Sequence, residues 1–379
     1  MEKYFGADTP KLGFGLMRLP KLPDDPKKID IEQVKVMVDK FMAAGLTYFD
    51  TAYVYDDGDS ERAAKEALVD RYPRESFTLA TKLNVWLYKD TTAQSAKAQL
   101  ATSLERTGAG YFDYYLLHAI MPKNVEKYDE FGIWDFVKDA KAKGLVKHWG
   151  FSFHGTPELL RDLLTQHPDA EFVQLQINYA DWENPAVTAR ENYEICREFG
   201  KSVVVMEPVK GGTLANPPES VKAVFAAANP DVSLASWAIR YVASLDGILT
   251  VLSGMSNVEQ MEDNLSYMAD FKPLSEAEQE TVRKAQEALA AIDSIPCTGC
   301  HYCTPGCPMS IPIPEIFSAR NNQLIWGKIR EGQMAYDRAT GGDAGRASEC
   351  LQCGQCEAAC PQHINIIERL QDCASAFEA

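Results

Sequence analysis

The chain has 379 residues, 46% hydrophobic and 24% charged, enough to bury a large core and more than one average domain needs. A formal charge of -16 opposes the phosphate backbone and excludes nucleic acid as a partner, and no apolar stretch reaches the roughly 18 residues of a membrane helix. The first twenty residues lack the basic start and apolar run of a signal peptide, so the expected location is the cytoplasm.

From the N-terminus onward, short apolar runs of strand character fall at Leu12 to Leu16, Leu46 to Phe49, Phe77 to Lys82, Tyr114 to His118, Val146 to Ser152, Phe172 to Ile177, Val203 to Met206 and Ile248 to Ser253. Segments of helical period alternate with them. Ile31 to Ala44 is halted by Gly45, Thr92 to Thr107 is halted by Gly108, and Thr156-Pro157 opens a helix through Leu164. Repeated βα units predict a parallel sheet with helices outside it, and their number predicts a closed (β/α)8 TIM barrel of the α/β class rather than an open sheet. Leu274-Ser275-Glu276 followed by Glu278 has the form of a capping box, and an Ala-rich helix to Ile292 is the last element before Ser294-Ile295-Pro296 breaks it. The expected division is therefore a barrel over 1–293 and a small α-helical module over 294–379.

Eight of the ten cysteines fall between Cys297 and Cys360, which is the distribution of a metal domain joined to a thiol-poor enzyme rather than of a disulfide scaffold. Cys297, Cys300, Cys303 and Cys307 with Pro308 read C-x2-C-x2-C-x3-C-P, and Cys350, Cys353, Cys356 and Cys360 with Pro361 repeat that spacing. In two-cluster ferredoxins the fourth cysteine of each run ligates the other cluster. Applied to this chain, one [4Fe-4S] cluster takes Cys297, Cys300, Cys303 and Cys360, and a second takes Cys350, Cys353, Cys356 and Cys307. The competing metal is structural zinc, which prefers separated C-x2-C pairs. The competing role is that of inert staples for a module too small to bury a sufficient core. Cys196 and Cys373 stand outside the motifs on expected helices and read as buried, inert thiols. His301 and His363 lie near the runs and read as surface residues or as neighbours of the ligands rather than ligands, because the thiolates already saturate both clusters.

Four residues at or just beyond the C-terminal ends of successive expected strands carry the chemistry of the barrel: Asp50, Tyr55, Lys82 and His118. Each has a bland alternative, as a helix-entry cap, a loop aromatic, a solvated strand end and a packed histidine. As a set they resemble the aldo-keto reductase superfamily, whose Asp-Tyr-Lys-His tetrad they match in type, order and placement. The resemblance covers about Leu12 to Phe271, and with the cysteine module the chain resembles the iron-sulfur branch of that superfamily. Hydride reduction of a carbonyl leaves an alkoxide, so a proton donor must stand beside the oxygen. Tyr55 is the expected donor, with its phenol made more acidic by the Lys82 ammonium. Asp50 would hold Lys82 charged and oriented, and His118 would hydrogen-bond the substrate oxygen.

The resemblance also implies a nicotinamide cofactor, NADP or NAD. Ser152 and Gln174 would hold the carboxamide, Gly15 and Met17 the floor beneath the ring, and Met206 the place where relatives carry an aromatic stacking partner. Gly254 through Asn264 match the family's adenosine-phosphate loop, with Asp263 and Asn264 at the adenine. Two departures stand out: Met206 is not a flat ring, and Gly254 and Gln260 occupy places where many relatives grip a 2′-phosphate with Lys or Arg, leaving Lys210 or Arg18 to compensate. The loop's bland alternative is a barrel-closing turn.

The expected function is NAD(P)-dependent reduction of a small carbonyl compound, or the reverse oxidation of an alcohol, with clusters for electron transfer or stability. A ferredoxin or flavodoxin is the expected electron partner. The alternatives are a ferredoxin-like electron-transfer subunit on a barrel scaffold and a flavin- or ferredoxin-coupled reductase.

Overall fold

The computed structural model describes residues 5–86 and 91–379. Eight parallel strands close into a barrel: β1 (Leu12–Gly15), β2 (Tyr48–Asp50), β3 (Thr78–Leu83), β4 (Phe112–Ile120), β5 (Val146–Phe153), β6 (Phe172–Gln176), β7 (Ser202–Met206) and β8 (Ile248–Ser253). Each pairs with its neighbours in sequence, and β1 closes the ring by pairing with both β2 and β8. This is the (β/α)8 barrel that the alternating pattern predicts. Strand limits move by a residue or two: Leu16 leaves β1 for a 3-10 turn, Leu16–Arg18, and β4 runs on past His118 because its apolar run continues to Ile120. An antiparallel pair, Lys21–Leu22 with Asp25–Ile29, was not expected. Its polar residues and Pro26 give no strand alternation, and proline is tolerated there because the pair has free edges.

The helix signals act as read. Asp30 caps Ile31–Ala43 by accepting the Gln33 N–H, Thr92 and Ser95 form a reciprocal cap on Ala93–Thr107, and Thr156 caps Pro157–Gln166. Ser275 and Glu278 bond each other's backbone N–H at the start of Glu276–Ala290.

The period-two alternation of strands decides where the site forms. One apolar cluster, separate from the main core, gathers Tyr48, Ala80, Leu116, Phe172 and Val204 from β2, β3, β4, β6 and β7. Two residues further along those strands, on the same face, come Asp50, Lys82, His118, Gln174 and Met206. The site thus grows on top of a packed plug, at the C-terminal ends of the strands. At Gly150 of β5 an added Cβ would stand 2.2 Å from the Phe172 carbonyl oxygen, so only glycine lets β5 and β6 approach.

The chain divides into two compact units, one of residues 1–183, 187–215 and 232–279, the other of 184–186, 216–231 and 280–379. The second unit contains helices Ile313–Trp326, Ile329–Ala339, Gln355–Ala359 and Ile366–Phe377. Its core gathers Ile295, Ile313, Phe317, Tyr336, Leu370 and Phe377 together with Cys303, Cys356 and Cys360. Tyr336 stacks on Phe377 at 4.5 Å, and Arg320 forks onto Asp372 with bonds of 2.9 and 3.2 Å. The Asn321 amide bonds both the N–H and the C=O of Ile295 at 2.8 Å, which fixes the chain two residues before the first cysteine. Among the described residues no helix is long and apolar enough to cross a membrane.

Candidate active site and cluster cradles

Asp50, Tyr55, Lys82 and His118 come together in the barrel mouth. Lys82 is fully buried and donates to Asp50 Oδ1 at 2.5 Å and to the Thr51 carbonyl at 2.7 Å. Its Nζ lies 4.8 Å from the centroid of the Tyr55 ring. The Tyr55 and His118 rings meet edge to face at 5.8 Å. The Trp86 indole N–H and the Tyr128 hydroxyl both donate to the His118 carbonyl, at 3.1 and 2.6 Å, which fixes the backbone there. His118 Nδ1 is buried with no hydrogen-bond partner.

Burial sets the electrostatics. Burial lowers the basicity of Lys82, but Asp50 and Tyr55 outweigh it and hold the ammonium charged. Burial also raises the Asp50 carboxyl from its ordinary range, against the pull of Lys82. Tyr55 departs from the sequence expectation. Burial raises its phenol above the usual value, and the lowering by Lys82 does not overcome that. The phenol therefore keeps its proton at neutral pH. Burial, with help from Lys82 and His154, drives His118 well below the ordinary histidine range and keeps its imidazole neutral.

The loop that carries Tyr55 is held by residues that the sequence reading did not single out. Tyr55–Gly58 is a 3-10 turn with Asp56 and Asp57 in the left-handed region at φ 49 and 54. Ser60 bonds Thr51 Oγ1 at 2.7 Å and donates to the Leu16 carbonyl at 2.9 Å. The fully buried Glu61 accepts from Thr81 Oγ1 at 2.7 Å and from Arg106 Nη1 at 3.1 Å. The same Arg106 nitrogen donates to the Tyr53 carbonyl at 2.9 Å, and the guanidinium covers the Tyr53 ring at 4.3 Å. Glu61 thus ties the neighbour of Lys82 to the approach of Tyr55. Gly58, at φ 91, leaves room for that guanidinium, which an added Cβ would meet at 2.5 Å. A Ser-Glu pair five and six residues past the tyrosine was the available signal, and it reads equally as a helix start.

The residues expected around a nicotinamide lie on adjoining strand ends. Ser152 is buried and its Oγ accepts the Ala119 N–H at 2.7 Å. Gln174 is buried, its Nε2 rests 3.4 Å from Met206 Sδ, and its Oε1 has no partner. That orphaned acceptor fits a carboxamide N–H. Gly15 ends β1, and Gly254 follows β8; both border an exposed Met17 and Arg18, whose side chain lies 3.6 Å from the place of a Cβ on Gly254. The adenosine loop is largely tied to itself. Gln260 Oε1 accepts the Ser256 N–H at 2.7 Å, Asp263 Oδ2 accepts from Ser233 Oγ at 2.8 Å, and Asn264 is buried between Ser253 Oγ and the Tyr267 hydroxyl. Asn264 therefore braces the end of β8 instead of reaching outward, because it falls on the inner face of its helix, Val258–Met268. Lys210 is also committed: its Nζ bonds both oxygens of the buried Asp181 at 2.6 and 2.7 Å. Arg18 is exposed beside Gly254.

In the second unit the cysteines line two separate hollows. The first, with about 310 Å³ of atom-free space, is ringed by Cys297, Cys300, Cys303 and Cys360. The second, of about 320 Å³, is ringed by Cys307, Cys350, Cys353 and Cys356. The fourth cysteine of each run faces the hollow of the other, as the motif predicts for two cubanes. Cys196 and Cys373 are buried outside both hollows, and burial pushes each thiol up to about 12. His301 and His363 are exposed.

The sequence profile of the Aldo/keto reductase family matches residues 11–287. The chain belongs to this family. Residues 296–365 match the profile of the 4Fe-4S dicluster domain. Aldo-keto reductase str7 of Strobilurus tenacellus is 32% identical over 219 residues, 54% of this chain and 59% of that protein, so the chain spans less than two thirds of that relative. The NADH-specific methylglyoxal reductase of Escherichia coli strain K12 is 23% identical over 67% of this chain and 89% of its own length. Aldo-keto reductase AKR11C1 from Bacillus halodurans, in its holo form, superposes with a TM-score of 0.60 at 25% identity, over 73% of this chain and 92% of that one.

Proposed function

We propose that this protein is an NAD(P)-dependent reductase of a small carbonyl compound, working in reverse as an alcohol dehydrogenase, with Tyr55 as general acid. In this reading the barrel extends to residue 293, and the module over 294–379 carries two [4Fe-4S] clusters. The observation that carries the catalytic reading is the buried Asp50–Lys82 pair under a protonated Tyr55 phenol beside a neutral His118. Ser152 and Gln174 would hold a nicotinamide at the rim, which when bound would supply the hydride for the carbonyl carbon. Tyr55 gives its proton to the oxygen as negative charge builds there, and the Lys82 ammonium stabilises the phenolate left behind. Asp50 keeps Lys82 charged. His118, neutral and fixed through its carbonyl, gives the substrate oxygen a second hydrogen-bond donor.

NADH in the name of the Escherichia coli relative supports NAD, while Arg18 at the rim supports a phosphate-bearing cofactor, so both are carried forward. Cys300 and Cys353 are exposed, one in each hollow, which supports electron exchange with a small carrier such as a ferredoxin or flavodoxin over a purely structural role. The test is Tyr55→Phe. Carbonyl reduction should fall by about 10² to 10⁴-fold, the range for a lost general acid, with nicotinamide binding and the visible absorption of the clusters unchanged. Turnover within tenfold of the parent removes Tyr55 from the mechanism.

A further inference from the structure

An extra residue in β4 decides where His118 points. Leu117 pairs with Phe151 and Ile120 with Phe153, so His118 and Ala119 together stand opposite Ser152 alone. Two residues against one make a β-bulge, which re-aims side chains at the rims of barrels. The strand's alternation shows its effect. Tyr114 and Leu116 belong to the plug inside the barrel, and Tyr115 and Leu117 to the core outside it, but the next residue to join the outer core is Ile120, not Ala119. Ala119 absorbs the insertion at φ 56, in the left-handed region that glycine enters freely and alanine does not.

Four side chains hold the chain in that conformation. Trp86 and Tyr128 donate to the carbonyl before Ala119, Ser152 Oγ accepts the Ala119 N–H at 2.7 Å, and Asn124 Nδ2 donates to the Ala119 carbonyl at 2.9 Å. Asn124 is buried, and its Oδ1 accepts the Met121 N–H at 2.9 Å, so one amide closes the turn that follows the bulge from both sides. The imidazole itself is held far less. Its Nδ1 is buried with no partner, and the rings of Tyr55 and Trp86 meet it only at 5.8 and 5.9 Å between centroids. With no acceptor on Nδ1, the direction of the ring comes from the main chain. We propose that Asn124 is a positioning residue for carbonyl reduction: by holding Ala119 left-handed it preserves the bulge, and with it the aim of His118 at the substrate oxygen. This rests on the reductase reading above. Backbone strain kept in place by surrounding bonds is a recurrent feature of catalytic sites, and here it lies next to the histidine.

The test uses the full-length, anaerobically purified protein with NADH and NADPH, and with methylglyoxal and 4-nitrobenzaldehyde as probes. Asn124→Ala should lower kcat by about 10- to 100-fold, the scale of a small misplacement of a catalytic group, while nicotinamide affinity, read from tryptophan fluorescence, stays within about twofold of the parent. Asn124→Asp keeps an acceptor for the Met121 N–H but turns a carboxylate oxygen on the Ala119 carbonyl, and should lose as much. Adding Ala119→Gly to Asn124→Ala should restore kcat to within about threefold of the parent, because glycine holds a positive φ without help from the amide. A general loss of stability would not be repaired by removing a further side chain. An Asn124→Ala protein with parental kcat overturns the proposal, and so does a loss that Ala119→Gly leaves in place. A parent protein that binds nicotinamide yet reduces neither probe contradicts the reductase reading itself, and the proposal falls with it.

Discussion

Tyr55 shows how tertiary placement can reverse a local argument. A phenol beside an ammonium is made more acidic in isolation, but in the barrel mouth burial acts on the phenolate more strongly than Lys82 does. The outcome suits an acid, which must arrive protonated. The identities of Asp50, Lys82 and His118 were legible because strand ends are marked in sequence; the direction of the Tyr55 shift was not, because burial is set by neighbours distant in the chain. His118 has a consequence for stability. Its folded pKa lies well below that of the unfolded chain, so below about pH 6.5 the unfolded state binds a proton that the folded state refuses. Stability is then fully present above about pH 6.5 and falls as the pH drops, with a slope of up to about 1.4 kcal/mol per pH unit from this one group. A His118→Asn variant should lose less of its thermal stability between pH 7 and pH 5 than the parent protein. Equal losses would show that His118 is accessible to protons in the folded state.

Among the elements, the segment between β2 and β3 matters most, because it delivers Tyr55 over Lys82. Its turn holds two left-handed aspartates and depends on Ser60, Glu61 and Arg106 for its anchorage. Strand ends and helix caps follow from local chemistry, and Thr92, Thr156 and Ser275 all cap as the sequence predicts. The Glu61–Arg106 pair joins residues 45 positions apart, so nothing in the local pattern of either helix announces it. Arg106→Met should leave the Glu61 carboxylate buried without its cation, destabilising the barrel by about 3 kcal/mol. It should also lower kcat, by freeing the Tyr53 carbonyl from its anchor. Urea unfolding followed by tryptophan fluorescence, with kcat on the folded variant, measures both. A loss below about 1 kcal/mol would mean that Glu61 finds another partner or takes up a proton.

For the whole molecule, the alternation of strands and helices disclosed the barrel, and two copies of one cysteine spacing pointed to the arrangement in which the fourth cysteine of each run lines the other run's hollow. The crossing was legible because each run is rigidly spaced and its fourth cysteine precedes a proline. What the rim of the barrel binds was less so. Asn264 and Lys210 are the residue types that hold an adenine or a phosphate, yet each is spent on an internal bond, to Ser253 and Asp181 respectively. Chemistry that looks available in a sequence is available only if no nearer partner takes it. The central claim is that this protein moves a hydride between a nicotinamide and a carbonyl carbon. The most direct test incubates the anaerobically purified, full-length protein with nicotinamide cofactor deuterated at C4 and a panel of small aldehydes and ketones, and reads deuterium in the alcohol product by mass spectrometry. Transfer of deuterium from one face of the cofactor to the former carbonyl carbon is the predicted result; alcohol formed without deuterium, its electrons drawn from the clusters alone, would contradict it.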